Sequence, residues 1–236
     1  MSALVDLSVV VPVYGNNQFL NELNNRIINT LSSLNHEIIY VNDCSPDDSL
    51  TTLKVLSKEY PKIQYINLPK NLGQQKATLQ GLRQAKGQKI VVLDGDLQDS
   101  PELISELYQK SLFTTNSIFV KRIGIYQSKG RMITSIIIKT TVQALSGLHY
   151  KAGSYYIFDR SILQDVTRAG TRCKYPYMSI IVALFSTKIQ YIKADRAKSI
   201  GASGYTMLKR VHAAFMAMYC SLYCCLLYTS PSPRDA

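Results

Sequence analysis

The chain contains no tryptophan and three scattered histidines, His36, His149 and His212, none paired in an HExxH, so zinc-dependent hydrolysis has no ligand set to use. A GxSxG nucleophile elbow, a GxGxxG fingerprint and a GxxxxGK[ST] loop are also missing, which disfavours serine-triad hydrolases, dinucleotide oxidoreductases and P-loop nucleotidases. Five cysteines, Cys44, Cys173, Cys220, Cys224 and Cys225, form an odd set without a CxxC, so neither a disulfide framework nor a zinc site is indicated and a reducing, cytosolic setting fits. Acidic residues are few: 16 Asp+Glu stand against 27 Lys+Arg, and the net charge of +11 calls for an anionic partner such as nucleic acid, a phosphorylated substrate or an acidic membrane surface. Nucleic acid is not expected, because the basic residues are spread out and no aromatic RNA-binding motif, zinc finger or helix-turn-helix signal accompanies them. The first apolar run, Leu7 to Val13, is too short for a signal peptide or a membrane span, so the N-terminus is expected to stay in the cytosol.

What is present is ordinary domain composition: 236 residues, 46% hydrophobic and 18% charged, with a mean hydropathy of -0.02, enough for one full domain plus an appendage. LSVVVPV reads as a strand buried on both faces. Phe19, Leu20, Leu23, Ile27, Ile28, Leu31 and Leu34 then recur at helical steps. Strands at Glu37 to Val41, Ile63 to Leu68, Lys89 to Leu93 and Ser117 to Val120 alternate with helices at Asp47 to Lys58, Gln74 to Ala85 and Pro101 to Lys110. The alternation predicts an α/β fold: right-handed crossovers building a mostly parallel, twisted sheet flanked by helices, with ligands beyond the carboxyl ends of the strands. A basic stretch (Lys121, Arg122, Lys129, Arg131, Lys139) follows, mixed with apolar residues in the manner of a membrane-surface helix. Beyond it come a strand at Tyr155 to Phe158, helices near Ser161 to Val166 and Tyr177 to Phe185, a strand at Lys188 to Ile192 and a terminal apolar helix from Val211 to Tyr228.

Carboxylates gather where strands end: Asp43 and Asp47 after the second strand, and Asp94, Asp96 and Asp99 after the fourth. Hard oxygen donors two residues apart on a turn can share one divalent cation and bridge it to substrate phosphates. The competing reading is that these residues cap helices and solvate turns.

LSVVVPVYG, YVNDCSPDDS, NLPKNLGQQKATLQGL and VVLDGDLQDSPELI together resemble the inverting family 2 glycosyltransferases of the nucleotide-diphospho-sugar (GT-A) fold, in particular the polyprenyl-phosphate sugar transferases related to dolichol-phosphate mannose synthase. The resemblance runs from about Leu7 to Lys209. It implies a nucleotide-binding set of Pro12, Tyr14, Asp43 and Asp94, with Asp43 facing the base edge. It also implies a Mg²⁺ or Mn²⁺ site at Asp94, Asp96 and Gln98, with Asp96 and Arg131 required for turnover. Arg122, Arg131 and Ser135 fall where such enzymes hold the lipid phosphate, and Arg196, Gly201, Ser203 and Tyr205 resemble the segment that closes over the donor, with a longer spacing after Arg196. The implied activity is transfer of a sugar from a UDP- or GDP-hexose to a polyprenyl phosphate at the cytosolic membrane face. The alternatives are transfer to a glycan or lipid hydroxyl in cell-wall or lipopolysaccharide assembly, or a basic membrane-binding module or inactive transferase.

Two departures stand out. Many relatives carry an Asp shortly before the strand written here as KAGSYYIFDR, where this chain has Lys151, Gly153 and Ser154, and the nearest acid, Asp159, follows the strand. A phosphate monoester acceptor is already largely ionised at pH 7 and needs no base, whereas a hydroxyl acceptor does; Asp159 is the candidate in that case. The C-terminus also differs: residues 1–205 form the expected catalytic domain, 206–228 an apolar helix expected to be a severed membrane anchor or a helix packed on the domain, and 229–236 a tail resembling translated sequencing-adaptor sequence.

Overall fold

The β-branched run Leu7–Val13 forms β1, every residue of it buried, and the chain then alternates as the periodicity predicts. In the computed structural model, which describes residues 5–123, 143–144, 146–149, 151–195 and 207–228, the elements after β1 are α1 (Asn17–Thr30), β2 (His36–Asn42), α2 (Ser49–Glu59), β3 (Ile63–Asn67), α3 (Gln74–Gln84), β4 (Lys89–Val92), α4 (Leu103–Ser111), β5 (Ser117–Ile123), β6 (Ala152–Asp159), α5 (Leu163–Arg172), α6 (Met178–Phe185), β7 (Ile189–Asp195) and α7 (Met207–Tyr228). The strands make one seven-stranded sheet in the order β3-β2-β1-β4-β6-β5-β7. All pairings are parallel except those of β6, which runs against both β4 and β5.

Period-2 alternation in the buried strands divides the core into two layers. Leu7, Val9, Val11 and Val13 face α1, α2 and α4 through Leu20, Leu23, Ile27, Leu53, Ile104 and Leu107. Val10, with Ile39 and Val41, faces the other way, onto Leu79 and Leu82 of α3 and the helices α5, α6 and α7. Each such aliphatic side chain withdrawn from water contributes about 1.5–3 kcal/mol.

At the amino ends of the strands a buried carboxylate is fully engaged. Glu37 on β2 accepts the Ser8 hydroxyl (2.6 Å), the Lys86 amide (2.6 Å) and the Gln64 side-chain amide (3.2 Å). Beside it, Lys89 and Asp159 pair at 2.9 Å across the antiparallel β4 and β6.

The terminal helix buries one stripe. Ala217, Cys220, Ser221 and Cys224 recur at helical spacing and lie against the core, the Tyr177 amide donates to Cys220 Sγ (3.4 Å), and the Tyr223 hydroxyl donates to the Arg172 carbonyl (3.1 Å). Hydrogen bonding to Cys173 together with burial raises the Cys220 and Cys224 thiols above the ordinary range, so they pack as neutral, apolar groups. Among the described residues no helix is long and apolar enough to cross a membrane. The described contacts of α7 are those of its buried stripe, and the tail 229–236 lies outside the described residues.

Two exposed carboxylates make the fold acid-sensitive. Glu102 is held at about 2 from an ordinary 4.5, first by the Arg26 guanidinium, which donates to both its oxygens at 2.7 and 2.8 Å. Burial works against the charge of Asp47, but the Ser45 and Ser49 hydroxyls and the amides of Asn17 and Ser49 hold it at about 2 from 3.8. A depressed folded-state pKa stabilises above the unfolded pKa and stops doing so as pH falls through the folded one. Thermal stability should therefore decline as pH drops from about 4.5 to about 2, and Glu102→Gln with Asp47→Asn should flatten that decline in melting curves recorded across the range.

Candidate active site

The loops that carry Tyr14, Asp43, Asp94 and Asp96 leave from the carboxyl ends of β1, β2 and β4. Because β2 and β4 flank β1 on opposite sides, the crevice between β1 and β4 is the switch point at which doubly wound sheets bind ligands.

The Asp94-Gly95-Asp96 turn sits in that crevice. A Cβ added at Gly95 would come within 3.3 Å of the Pro12 carbonyl and 3.4 Å of Val11 Cγ1, so the absence of a side chain lets the turn lie close against the end of β1. Leu97 follows with a positive φ of 55°, a left-handed residue that reverses the chain. The reversal brings Gln98 back over Asp96, whose Oδ1 accepts the Gln98 amide (3.1 Å) and whose Oδ2 accepts the Gln98 side-chain amide (2.6 Å). Asp94 and Asp96 are half-buried. Asp94 Oδ2 accepts the Ser154 hydroxyl from the start of β6 (2.5 Å), and Oδ1 accepts the Gln74 side-chain amide from the first turn of α3.

On the β2 side, Asp43 is buried at 2% exposure and points at the loop before α3. Its two oxygens accept the backbone amides of Leu72 (2.7 Å) and Gly73 (2.8 Å), so its carboxylate anchors the loop that leads into α3. Gly73 takes a φ of 87° there, where a side chain would be strained. Asn42 and Ser45 tie the same corner to β3 and β1: Asn42 Nδ2 donates to Asn67 Oδ1 (2.7 Å), and the Gly15 amide donates to Ser45 Oγ (2.7 Å). Tyr14, 52% exposed, stands at the open mouth beyond β1, where its ring is free to stack on a planar ligand.

The structure therefore brings Pro12, Tyr14, Asp43, Asp94, Asp96 and Gln98 to one end of the sheet. Arg131, Ser135, Arg196, Gly201, Ser203 and Tyr205 lie outside the described residues, and Arg122 is described only as part of the β5 backbone. Asp159 is elsewhere: it pairs with Lys89 at the opposite end of β4 from Asp94, which corrects the expectation that it could serve as a base. The side chains that sequence reasoning missed are Gln74 and Ser154. Gln74 lies inside the NLGQQKATLQGL block, and Ser154 at the point where the chain departs from the family pattern.

The donor set suits a hard dication. Two carboxylates and one amide leave much of an octahedral sphere to phosphate oxygens and water, the usual arrangement for Mg²⁺ at a nucleotide. No group of three or more His, Cys, Asp or Glu able to hold an ion assembles among the described residues.

Similarity to known proteins establishes the fold and the family. Over 221 residues the chain is 29% identical to the undecaprenyl-phosphate 4-deoxy-4-formamido-L-arabinose transferase of Pseudomonas savastanoi pv. phaseolicola, covering 91% of this chain and 65% of that protein. Over 103 residues it is 40% identical to the dolichol-phosphate mannosyltransferase of Pyrococcus furiosus, covering 44% of this chain and 29% of that protein. The chain thus spans less than two thirds of the length of either relative. Its fold superposes with a TM-score of 0.62, at 16% identity, on glucosyl-3-phosphoglycerate synthase from Mycobacterium tuberculosis crystallised with Mn²⁺, UDP and phosphoglyceric acid, covering 92% of this chain and 77% of that one. Residues 8–178 match the family model of glycosyl transferase family 2, and the chain belongs to that family.

Proposed function

We propose that this chain transfers a hexose from a UDP- or GDP-sugar to a polyprenyl phosphate at the cytosolic face of a membrane, by single displacement with inversion. The observation that carries the reading is the Asp94-Gly95-Asp96 turn, folded against the end of β1 at the switch point of the sheet with Gln98 turned back over it. The names of the two relatives, both transferases onto polyprenyl phosphates, support the acceptor. The solved neighbour that contains Mn²⁺ and UDP supports the donor and the metal.

The residues divide the task. Tyr14 and Pro12 flank the nucleotide, and Asp43 holds the wall on the base side. Asp94, Asp96 and Gln98 would hold Mg²⁺ or Mn²⁺, which as a Lewis acid offsets the charge growing on the departing nucleoside diphosphate. Arg122, Arg131 and Ser135 are assigned to the acceptor phosphate, where the guanidinium forks suit its oxygens. Arg196, Ser203 and Tyr205 are assigned to closing over the donor. The acceptor phosphate, already an anion at pH 7, attacks the anomeric carbon once it is aligned and shielded from water, so no side-chain base is required.

The test is nucleoside-diphosphate release from a panel of UDP- and GDP-sugars, with Mn²⁺, Mg²⁺ or EDTA, with and without polyprenyl phosphate. Release that needs both cation and lipid is the expected result. Metal-dependent release indifferent to the lipid would move the acceptor to a hydroxyl or water, and no release with any donor from folded protein would refute transfer.

A further inference from the structure

Asp94 is gripped from two separate parts of the fold. One grip comes from α3: Gln74, its first residue, donates its side-chain amide to Asp94 Oδ1. The other comes from β6, which runs antiparallel to both its neighbours β4 and β5, and whose Ser154 hydroxyl donates to Asp94 Oδ2 at 2.5 Å. Gln74 is placed in turn by Asp43, because the Leu72 and Gly73 amides that Asp43 accepts are the two residues immediately before it. The three contacts form a chain across the crevice, from the end of β2, through the amino end of α3, to the end of β4.

We infer that Gln74 and Ser154 are positioning residues that fix the Asp94 carboxylate for the cation and the donor diphosphate, and that Asp43 sets Gln74 by anchoring the loop before α3. The inference rests on the reading of Asp94 as a donor-site residue. A carboxylate has about four acceptor directions, so a donor on each oxygen, from two separate elements, restricts the orientations open to Asp94 while occupying only two of those directions. Outer-shell donors of this kind orient ligating carboxylates, and their loss typically lowers metal affinity 10–100-fold. Ser154 also accounts for the departure in the KAGSYYIFDR segment: at this strand start the chain supplies a hydroxyl that supports an acid instead of a further acid.

The experiment is Mn²⁺ binding to the full chain in the presence of UDP, and separately of GDP, read from the free Mn²⁺ signal in electron paramagnetic resonance, with thermal melting alongside. Gln74→Ala and Ser154→Ala should each weaken Mn²⁺ binding about tenfold with little change in melting. Ser154→Thr, which keeps the hydroxyl, should restore the binding that Ser154→Ala loses. Asp43→Asn should weaken binding too; should it melt early, the exposed Gln74 still carries the test. Binding within twofold of the parent in both alanine variants, while Asp94→Ala abolishes it, would overturn the positioning role alone. Parental binding in Asp94→Ala would overturn both that role and the donor-site reading beneath it.

Discussion

Asp96→Ala should lower sugar transfer about 10²–10³-fold at saturating donor while the protein melts as the parent does. The size follows from where the charge acts: the departing nucleoside diphosphate gains negative charge only as the glycosidic bond breaks, so a group that helps offset it stabilises the transition state more than the bound donor. The intact fold follows from the position of Asp96, which is half-buried on a solvent-facing turn and bonded to Gln98 within that turn. Steady-state kinetics separate the outcomes, since a role confined to binding would raise KM and leave kcat unchanged.

Gly87→Ala should destabilise the fold by at least about 3 kcal/mol, read from denaturant unfolding. A Cβ at this position would lie 2.3 Å from the Ser8 nitrogen, 2.7 Å from the Leu7 carbonyl carbon and 2.8 Å from the Lys89 oxygen. All three are backbone atoms of paired central strands and cannot swing aside as a side chain can. The same shift would pull the Gly87 amide from Ser8 Oγ, 2.7 Å away, and disturb the buried Glu37 network that Ser8 completes. Gly81→Ala is the milder companion, because there the added carbon meets the side-chain methyls of Val10 and Val41, at 2.4 and 3.0 Å, and a rotamer change can relieve part of the clash.

Most of the sheet was legible in the sequence because its central strands are buried on both faces and so read as unbroken β-branched runs. LSVVVPV is β1 residue for residue, and the helices between strands carry their apolar stripe at helical steps. The direction of β6 was not legible: Tyr155 to Phe158 reads the same whichever way the strand enters, and only its pairing with β4 and β5 shows the reversal. That reversal puts Ser154 beside Asp94 and Asp159 at the far end with Lys89. The buried stripe of the terminal helix was hidden for a related reason. Ala, Met and Cys all count as apolar, so the run from Val211 to Tyr228 looks uniform, and the stripe of Ala217, Cys220 and Cys224 emerges only once α7 is seated.

The site was legible in its charges and hidden in its neutral polar groups. Asp94 and Asp96 stood out because they are hard oxygen donors two residues apart on a turn that follows an apolar strand. Asp47 does cap the helix that follows it, through the Ser49 amide. Asp43 instead anchors the loop before α3, through contacts of sequence separation 29 and 30 that no local pattern reveals. Gln74 and Ser154 are uncharged and lie 20 and 60 residues from Asp94, so only the fold could bring them to it.

The most direct measurement is the transfer of labelled sugar from UDP- and GDP-hexoses into organic-extractable polyprenyl phosphate, with Mn²⁺ present or chelated, by the parent chain and by Asp96→Ala. Label that enters the lipid fraction only with the cation present, and only with Asp96 intact, is the result expected of a donor turn serving a lipid-phosphate acceptor. Label that never enters the lipid, or that enters equally with Asp96→Ala or in chelator, would contradict it.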